Sequence, residues 1–237
     1  MAFNPVLFYE YGKSRAFNAP NTFIGGVAST INTPALLASA LNISVVYIKN
    51  FSVNGDDIQC HIGVDYNITI AGFKDNTSIT NYIDLDGHLI IINSNGFRAC
   101  TNLTKIYFPK CTDISVGLGF LAFYACSSLN DVYLPLVKWA GTQSFADCTS
   151  LVNLDLPSLL GCAVLVFDNC SSLETLNIPK CTNLGNGVNN NNVFRNIKLG
   201  CVINIDSSRE TCDGGAPDGD LVYAINTRGA TVNYIVN

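Results

Sequence analysis

The sequence predicts a mainly β solenoid in which short parallel strands stack turn upon turn. Two observations predict this fold class: one sequence unit recurs along the middle of the chain, and apolar and polar residues alternate inside each unit. A third observation is that 48% of the 237 residues are hydrophobic and only 13% are charged. This composition fits an elongated core whose surface is polar but weakly charged.

The repeat is clearest between residues 97 and 179. Each copy begins with phenylalanine, has cysteine three residues later and leucine three residues after that. Two apolar residues separated by one position follow, and proline closes the copy. The phenylalanines are Phe97, Phe123, Phe145 and Phe167, and the prolines are Pro109, Pro135, Pro157 and Pro179. The spacing of the copies lies in the range of leucine-rich repeats.

Two weaker copies flank this array, as a solenoid requires where its core closes. The downstream copy starts at Phe194 and keeps the register. The upstream copy starts at Phe73 and places Ile79, Ile83 and Leu85 at apolar positions if one extra residue is allowed. The predicted solenoid therefore covers residues 73–206.

The end of each copy predicts a short strand with one face inside. Ile106 and Phe108 are two positions apart, so their side chains share the inner face and Tyr107 between them faces outward. Proline has no N–H to donate and marks the point where the strand leaves the ladder. Successive strands would then pair in parallel.

Four cysteines occupy one column of the repeat: Cys100, Cys126, Cys148 and Cys170. Free cysteine behaves as a small buried hydrophobic residue, so the column predicts an interior row of free thiols. Zinc or redox chemistry would need C-x-x-C pairs or histidine partners. The chain has no C-x-x-C and only His61 and His88. We expect no metal and no cofactor, and disulfides between adjacent turns remain an open alternative.

This pattern resembles the BspA-like, or Treponema pallidum-type, class of leucine-rich repeats. The resemblance implies a curved solenoid, a role in adhesion or binding at a surface, and no catalytic residues. Proteins with such repeats also resemble spike and fibre components of phages infecting Bacteroidetes. The resemblance therefore implies a virion surface component that mediates attachment. A bacterial cell-surface adhesin and an intracellular protein-binding scaffold are the alternatives.

Charge and motif content argue against other classes of function. The net charge is −5 and no stretch gathers lysine and arginine, which argues against nucleic-acid binding. No apolar run reaches the roughly 20 residues of a membrane span. Metalloprotease, hydrolase and nucleotide-binding motifs are absent, so we predict that the protein is not an enzyme. The first ten residues carry no basic side chain and no signal-like apolar run follows, so we do not expect Sec-dependent export.

The N-terminal part lacks the repeat. Residues 1–45, which are rich in aromatic residues, are predicted either to cap the first turn of the solenoid or to form an arm that anchors the chain to another subunit or a capsid. The apolar stretch from Pro34 to Leu41 predicts a short helix that starts at Asn32 or Thr33. The pair Gly25-Gly26 predicts a hinge. Residues 46–72 predict a β-rich cap, with Asn54-Gly55 at a hairpin turn.

Residues 207–237 predict a C-terminal cap that covers the open end of the core. Alternating residues predict a β-hairpin with strands at Leu221 to Ile225 and Ala230 to Val236. The acidic loop from Asp213 to Asp220 does not match the spacing of an EF-hand calcium loop, and we expect it to be solvated.

The outward strand positions define the predicted recognition surface. Tyr107 and Tyr133 would stand on adjacent strands and form an aromatic platform of the kind enriched in protein and glycan contacts. The alternative is that the two rings only stabilise an exposed sheet. The other predicted contact residues are Lys105, Asp131, Asn153 and Asp155. The partners expected are other virion or surface subunits and a host-surface protein or glycan, with the chain as a homo-oligomer, a trimer if it forms a spike.

Overall fold

The repeats form the turns of a solenoid with three sides: a first row of strands, a second row of strands, and a row of hydrogen-bonded turns. The computed structural model describes residues 22–26, 31–41, 43–54, 57–68, 72–116, 120–185, 192–211 and 218–237. Parallel strands dominate these residues and helices are few, which confirms the predicted mainly β leucine-rich-repeat solenoid.

The first side is built from the strands that carry the alternating apolar positions. Its first sheet has the order β2-β3-β1-β5-β7-β9 and contains β1 (Thr22–Gly25), β2 (Ile48–Asn54), β3 (Asp57–Ile62), β5 (Asn81–Asp84), β7 (Lys105–Tyr107) and β9 (Asp131–Tyr133). A second sheet lies next to β9 and contains β11 (Asn153–Asp155), β13 (Thr175–Ile178), β14 (Val202–Asp206) and β15 (Thr231–Ile235). From β5 onward the paired strands on this side are parallel and in register.

The second side is a sheet of short parallel strands, and those of the turns that end in Pro109, Pro135 and Pro157 begin a few residues after that proline. It contains β4 (Tyr66–Ile68), β6 (Leu89–Asn93), β8 (Asp113–Val116), β10 (Trp139–Ala140) and β12 (Gly161–Cys162). Ala140 lies opposite Ile114 on one neighbour and Cys162 on the other. All three side chains are buried, so this sheet closes the core from a second direction.

The third side places residues other than glycine in the left-handed region of backbone space. In the turn around Phe123, Leu121 has a φ of 54° and Ala125 a φ of 58°. Their amide N–H groups donate to the next turn, to the carbonyl oxygens of Thr142 at 3.0 Å and Ala146 at 2.9 Å. The same two positions have positive φ in the turns of Phe97, Phe145, Phe167 and Phe194. Hydrogen bonds between turns thus hold a conformation that side chains disfavour.

The core is a column of phenylalanine rings. The centroid distances along Phe73, Phe97, Phe123, Phe145, Phe167 and Phe194 are 5.2, 5.4, 5.5, 6.2 and 6.1 Å, and all five pairs are stacked. The cysteine column lies beside these rings and is fully buried. Every cysteine among the described residues is a free thiol; the column is interior as expected, and the redox state of its thiols stays a prediction. Cys212 lies outside the described residues.

At the N-terminal end, β1 inserts between β3 and β5 and pairs antiparallel with both. The predicted helix is present as α1 (Pro34–Leu41), and the Thr33 hydroxyl accepts a hydrogen bond from the Leu36 amide at 3.3 Å. The hairpin of β2 and β3 is also confirmed, although Gly55 itself lies outside the described residues. Within the predicted arm, residues 1–21, 27–30 and 42 also lie outside the described residues.

The predicted hinge at Gly25-Gly26 is wrong. Gly25 is the last residue of β1 and lies opposite Asn81, and its carbonyl accepts from the Thr80 amide at 2.9 Å. The Gly26 amide donates to Asp57 Oδ1 at 3.0 Å. Both backbone positions are therefore tied to neighbouring segments, which is the opposite of a hinge.

The upstream repeat copy needs no extra residue. Tyr82 lies opposite Ile106 and Ile83 opposite Tyr107, so Tyr82 and Asp84 face the core where Ile83 and Leu85 were predicted. Tyr82 and Asp84 are fully buried, and the Tyr82 hydroxyl lies 3.0 Å from the Tyr66 hydroxyl. The prediction of Ile83 and Leu85 at interior positions is therefore wrong, because the polar Tyr82 and Asp84 occupy those positions instead.

The predicted C-terminal β-hairpin is also wrong. Where a strand was predicted at Leu221 to Ile225, the chain forms α2 (Gly219–Arg228). Asp218 caps it by accepting from the Asp220 amide at 3.0 Å, and Gly229, with a φ of 62°, ends it. The buried Leu221 and Ala224 are three residues apart, which suits a helix face. The following strand, β15, pairs in parallel with β14 and extends the sheet by one turn.

Candidate functional site

The candidate site is the outward face of the first side, centred on Tyr107 and Tyr133. The two ring centroids are 4.6 Å apart and the ring planes differ by 7°. Parallel strands in register bring equivalent residues to about 4.8 Å, so the sheet geometry itself sets the stacking distance. The predicted adjacency of the two tyrosines is present, and both residues are half-buried.

Two positions earlier on the same strands, and on the same face, Lys105 and Asp131 form an ion pair with 2.8 Å between Nζ and Oδ2. The pair neutralises the charges next to the rings, so the platform has no strong field of either sign. Burial raises the pKa of Tyr107, and the neighbouring Tyr133 and Asp84 add to the shift. A tyrosine is already protonated near neutral pH at its ordinary pKa of about 10, so the Tyr107 hydroxyl is a hydrogen-bond donor there.

Polar side chains continue the face beyond the tyrosines. Asn177 Nδ2 donates to Asp155 Oδ1 at 2.6 Å, and further along Asn233 Nδ2 donates to Asn204 Oδ1 at 2.8 Å. Asn153 and Asp155 are exposed on β11. The structure thus brings all six predicted contact residues onto one continuous face, although their role in binding stays a prediction.

This face suits recognition by contact. Its rings, its amides and the Lys105–Asp131 ion pair offer apolar area and hydrogen-bonding groups. Within the described part of the chain, no group of three or more His, Cys, Asp or Glu side chains is arranged to hold a metal ion. No helix in that part is long and apolar enough to cross a membrane.

Sequence reasoning missed an exposed aromatic residue on another side of the solenoid. Trp139 lies on the outward face of the second side and is 44% exposed. It is the single tryptophan of the chain and stands outside the apolar columns of the repeat, between the buried Val137 and Ala140. A single tryptophan outside the apolar columns of the repeat was the sequence feature that could have predicted an exposed aromatic residue here.

The chain belongs to the BspA type leucine rich repeat region family, whose model matches residues 67–207 in six copies. The matched range covers more than half of the chain and coincides with the stacked turns. No curated protein matches the chain.

Three solved structures are similar to the chain. A leucine-rich repeat protein from Bacteroides ovatus ATCC 8483 is 25% identical, with 62% of this chain and 37% of that chain covered and a TM-score of 0.43. A leucine rich cell surface protein from Faecalibacterium prausnitzii A2-165 is 20% identical, with coverage of 66% and 42% and a TM-score of 0.45. The T. pallidum leucine rich repeat protein is 14% identical, with coverage of 82% and 99% and a TM-score of 0.36. The chain matches less than half the length of the first two.

Proposed function

We propose that the protein is a non-enzymatic attachment protein, whose repeat array presents the first-side face to a partner on another particle or cell. The observation that carries this proposal is the stacked pair of Tyr107 and Tyr133, half-buried and oriented outward beside a neutralised ion pair. Tyrosine offers an apolar ring and a polar tip at low entropic cost, and it is enriched at binding surfaces. The membership in a family of repeat proteins supports a binding role.

Alanine at both tyrosines tests the proposal, because the side chains point away from the core and the fold is expected to survive. Labelled protein is incubated with intact bacterial cells, and bound fluorescence is measured by flow cytometry. We expect the double variant Tyr107→Ala/Tyr133→Ala to lose binding about tenfold or more, as removal of two central aromatic contacts does in other interfaces.

Thr175→Ala on β13 is the matched control, because it truncates a side chain on the same face without touching the tyrosines. It is expected to bind as the unmodified protein does. If the double variant binds normally and only its thermal stability falls, the tyrosines serve the sheet alone and the proposal fails.

The finer proposal places the protein on a virion as a spike or fibre component, and the alternative is the surface of a bacterial cell. The repeat resemblance supports both placements. An antibody against the chain distinguishes them: it labels purified phage particles in the first case and unlysed bacterial cells in the second.

A virion spike also implies self-association, and we propose a trimer. The support is the low charge of the surface, with 13% charged residues. Mass measurement of the full chain in solution tests this part by itself. A monomer that persists at high concentration excludes the trimer without affecting the attachment proposal.

A further inference from the structure

The outward face of the second side carries a row of residues unlike the rest of the solenoid. Asp113, Trp139 and Gly161 are direct partners on three adjacent strands, β8, β10 and β12. Asn183 continues the row through a bridge to Gly161. The row thus places a carboxylate, an indole, a position without a side chain and an amide side by side.

Because Gly161 has no side chain, the indole of Trp139 can lie flat against the sheet. A Cβ atom at Gly161 would come within 2.3 Å of Cζ3 and 2.9 Å of Cε3 of Trp139. The six-membered part of the indole therefore occupies the space of the missing side chain and covers the neighbouring strand. The other face of the ring is open, and 44% of the residue is exposed to solvent.

A second row of side chains borders the indole. The Leu160 amide donates to the Lys138 carbonyl at 2.9 Å, and the Thr182 amide donates to the Leu160 carbonyl at 3.0 Å, which aligns these three residues across neighbouring turns. Lys138 and Thr182 are exposed, and Leu160 is 39% exposed. The surface is a small apolar patch of Trp139 and Leu160, with an ammonium group, a hydroxyl and the Asp113 carboxylate around it.

We infer that this patch, the tryptophan platform, binds a pyranose ring of a glycan. One face of a pyranose is lined by C–H groups and stacks on an indole, while its hydroxyls at the edge need donors and acceptors. The platform supplies both, because an exposed aromatic surface lies beside a few polar groups.

The size of the platform favours a sugar over a protein. The exposed parts of Trp139 and Leu160 together amount to on the order of 200 Å², whereas each partner of a stable protein interface buries about 800 Å². A single sugar ring matches the smaller area. This inference concerns a different side of the solenoid from the attachment face and does not depend on the tyrosines.

The chain offers a direct readout, because Trp139 is its only tryptophan and all tryptophan emission comes from the platform. The full chain is first applied to a printed array of microbial and mammalian glycans. Soluble forms of the oligosaccharides that bind are then titrated into the protein while tryptophan emission and acrylamide quenching are recorded. We expect a shift of emission to shorter wavelength and protection from the quencher. No binding on the array, or binding that leaves Trp139 emission and quenching unchanged, would overturn the assignment.

Two variants separate the platform from a general effect on the fold. Gly161→Ala keeps the indole but displaces it, and it is expected to weaken glycan binding about tenfold, whereas Trp139→Phe retains a ring and is expected to weaken it less. Val222→Ala, which truncates an exposed apolar side chain on α2, is the control and should bind normally. Unchanged affinity in Gly161→Ala would contradict the inference. If no glycan binds but Trp139→Ala abolishes binding to a protein partner, the platform is a protein-binding site and the glycan inference is wrong.

Discussion

The thiol of Cys126 donates a hydrogen bond to the carbonyl oxygen of Phe97 in the preceding turn, with 3.0 Å between Sγ and oxygen. The same bond joins Cys100 to Phe73, Cys148 to Phe123 and Cys170 to Phe145. The Phe97 carbonyl also accepts from the Cys100 amide at 3.1 Å. Cysteine therefore serves this repeat as a hydrogen-bond donor between turns as well as a small apolar side chain.

The first prediction is that the interior thiols are unreactive in the native protein. Burial raises the pKa of Cys100 and of Cys111 to about 12 and that of Cys126 well above the usual value. Since the thiolate is the reactive form, labelling with a maleimide near pH 8 should be slow. Mass spectrometry of the Cys212→Ser variant is expected to show no rapid label in native conditions.

The same variant denatured without reductant is the control, and it should take up nine labels, one for each free cysteine of the described residues. Fewer labels after denaturation would indicate a disulfide. Rapid native labelling would contradict the buried column.

The second prediction concerns the left-handed positions on the third side. Ala125 has a φ of 58°, where a Cβ atom costs about 1–2 kcal/mol. Glycine there removes this strain at the cost of extra freedom in the unfolded chain. Ala125→Gly should therefore raise the free energy of unfolding by about 0.5–1 kcal/mol, measured by urea denaturation.

Ala122→Gly is the matched control, because Ala122 is buried in the same turn and has no positive φ. It should lower the free energy of unfolding by roughly 1 kcal/mol. Equal losses in both variants would mean that the left-handed backbone carries no relievable strain.

The repeat could be predicted from the sequence because its columns recur at fixed offsets. Phe123, Cys126 and Leu129 take their neighbours from equivalent residues one turn away, so one aligned column fixes the packing of the next. Trp139 has no counterpart in other turns, and its position depends on the absence of a side chain at Gly161 in the following turn. This dependence of Trp139 on Gly161 occurs at one place in the array, so no repeated sequence pattern predicts it.

The errors at the ends have a different cause. Asp84 occupies the position that Phe108 holds in the next turn. An aspartate is not predicted at an interior position, because buried carboxyl groups are rare without partners. The Leu221 to Ile225 segment fits a strand or a helix face equally well over so few residues. The capping residue Asp218 and the ending residue Gly229 decide for the helix.

The third prediction is that Asp84 makes the protein less stable as the pH rises. Burial raises the pKa of Asp84 above its ordinary value of 3.8, against the opposing effect of the Leu89 amide, which donates to Oδ2 at 2.6 Å. The folded state thus keeps a proton that the unfolded chain has already lost. Stability from this group is present below pH 3.8 and is lost as the pH rises through that value towards the raised pKa.

Asp84→Asn tests the effect, because the amide keeps the shape and cannot ionise. Free energies of unfolding are measured from about pH 4 to pH 8. The difference between the variant and the unmodified protein should grow in favour of the variant across the lower part of this range. Asp86→Asn, an exposed position two residues away, should show no such trend, and a parallel trend in both variants would contradict the assignment to Asp84.

The fourth prediction concerns the phenylalanine column. Phe145 is stacked between Phe123 at 5.5 Å and Phe167 at 6.2 Å and is fully buried. Phe145→Leu keeps most of the apolar volume but removes two aromatic contacts, each worth about 0.5–1.5 kcal/mol beyond burial, so we expect a loss of about 1–3 kcal/mol by urea denaturation. Phe145→Ala adds a cavity and should cost about 3–5 kcal/mol. Each turn of a solenoid contacts only its neighbours. Hydrogen exchange in Phe145→Leu should therefore accelerate first in the turns of Phe123 and Phe167. Equal acceleration along the whole chain would show instead that the column unfolds as one unit.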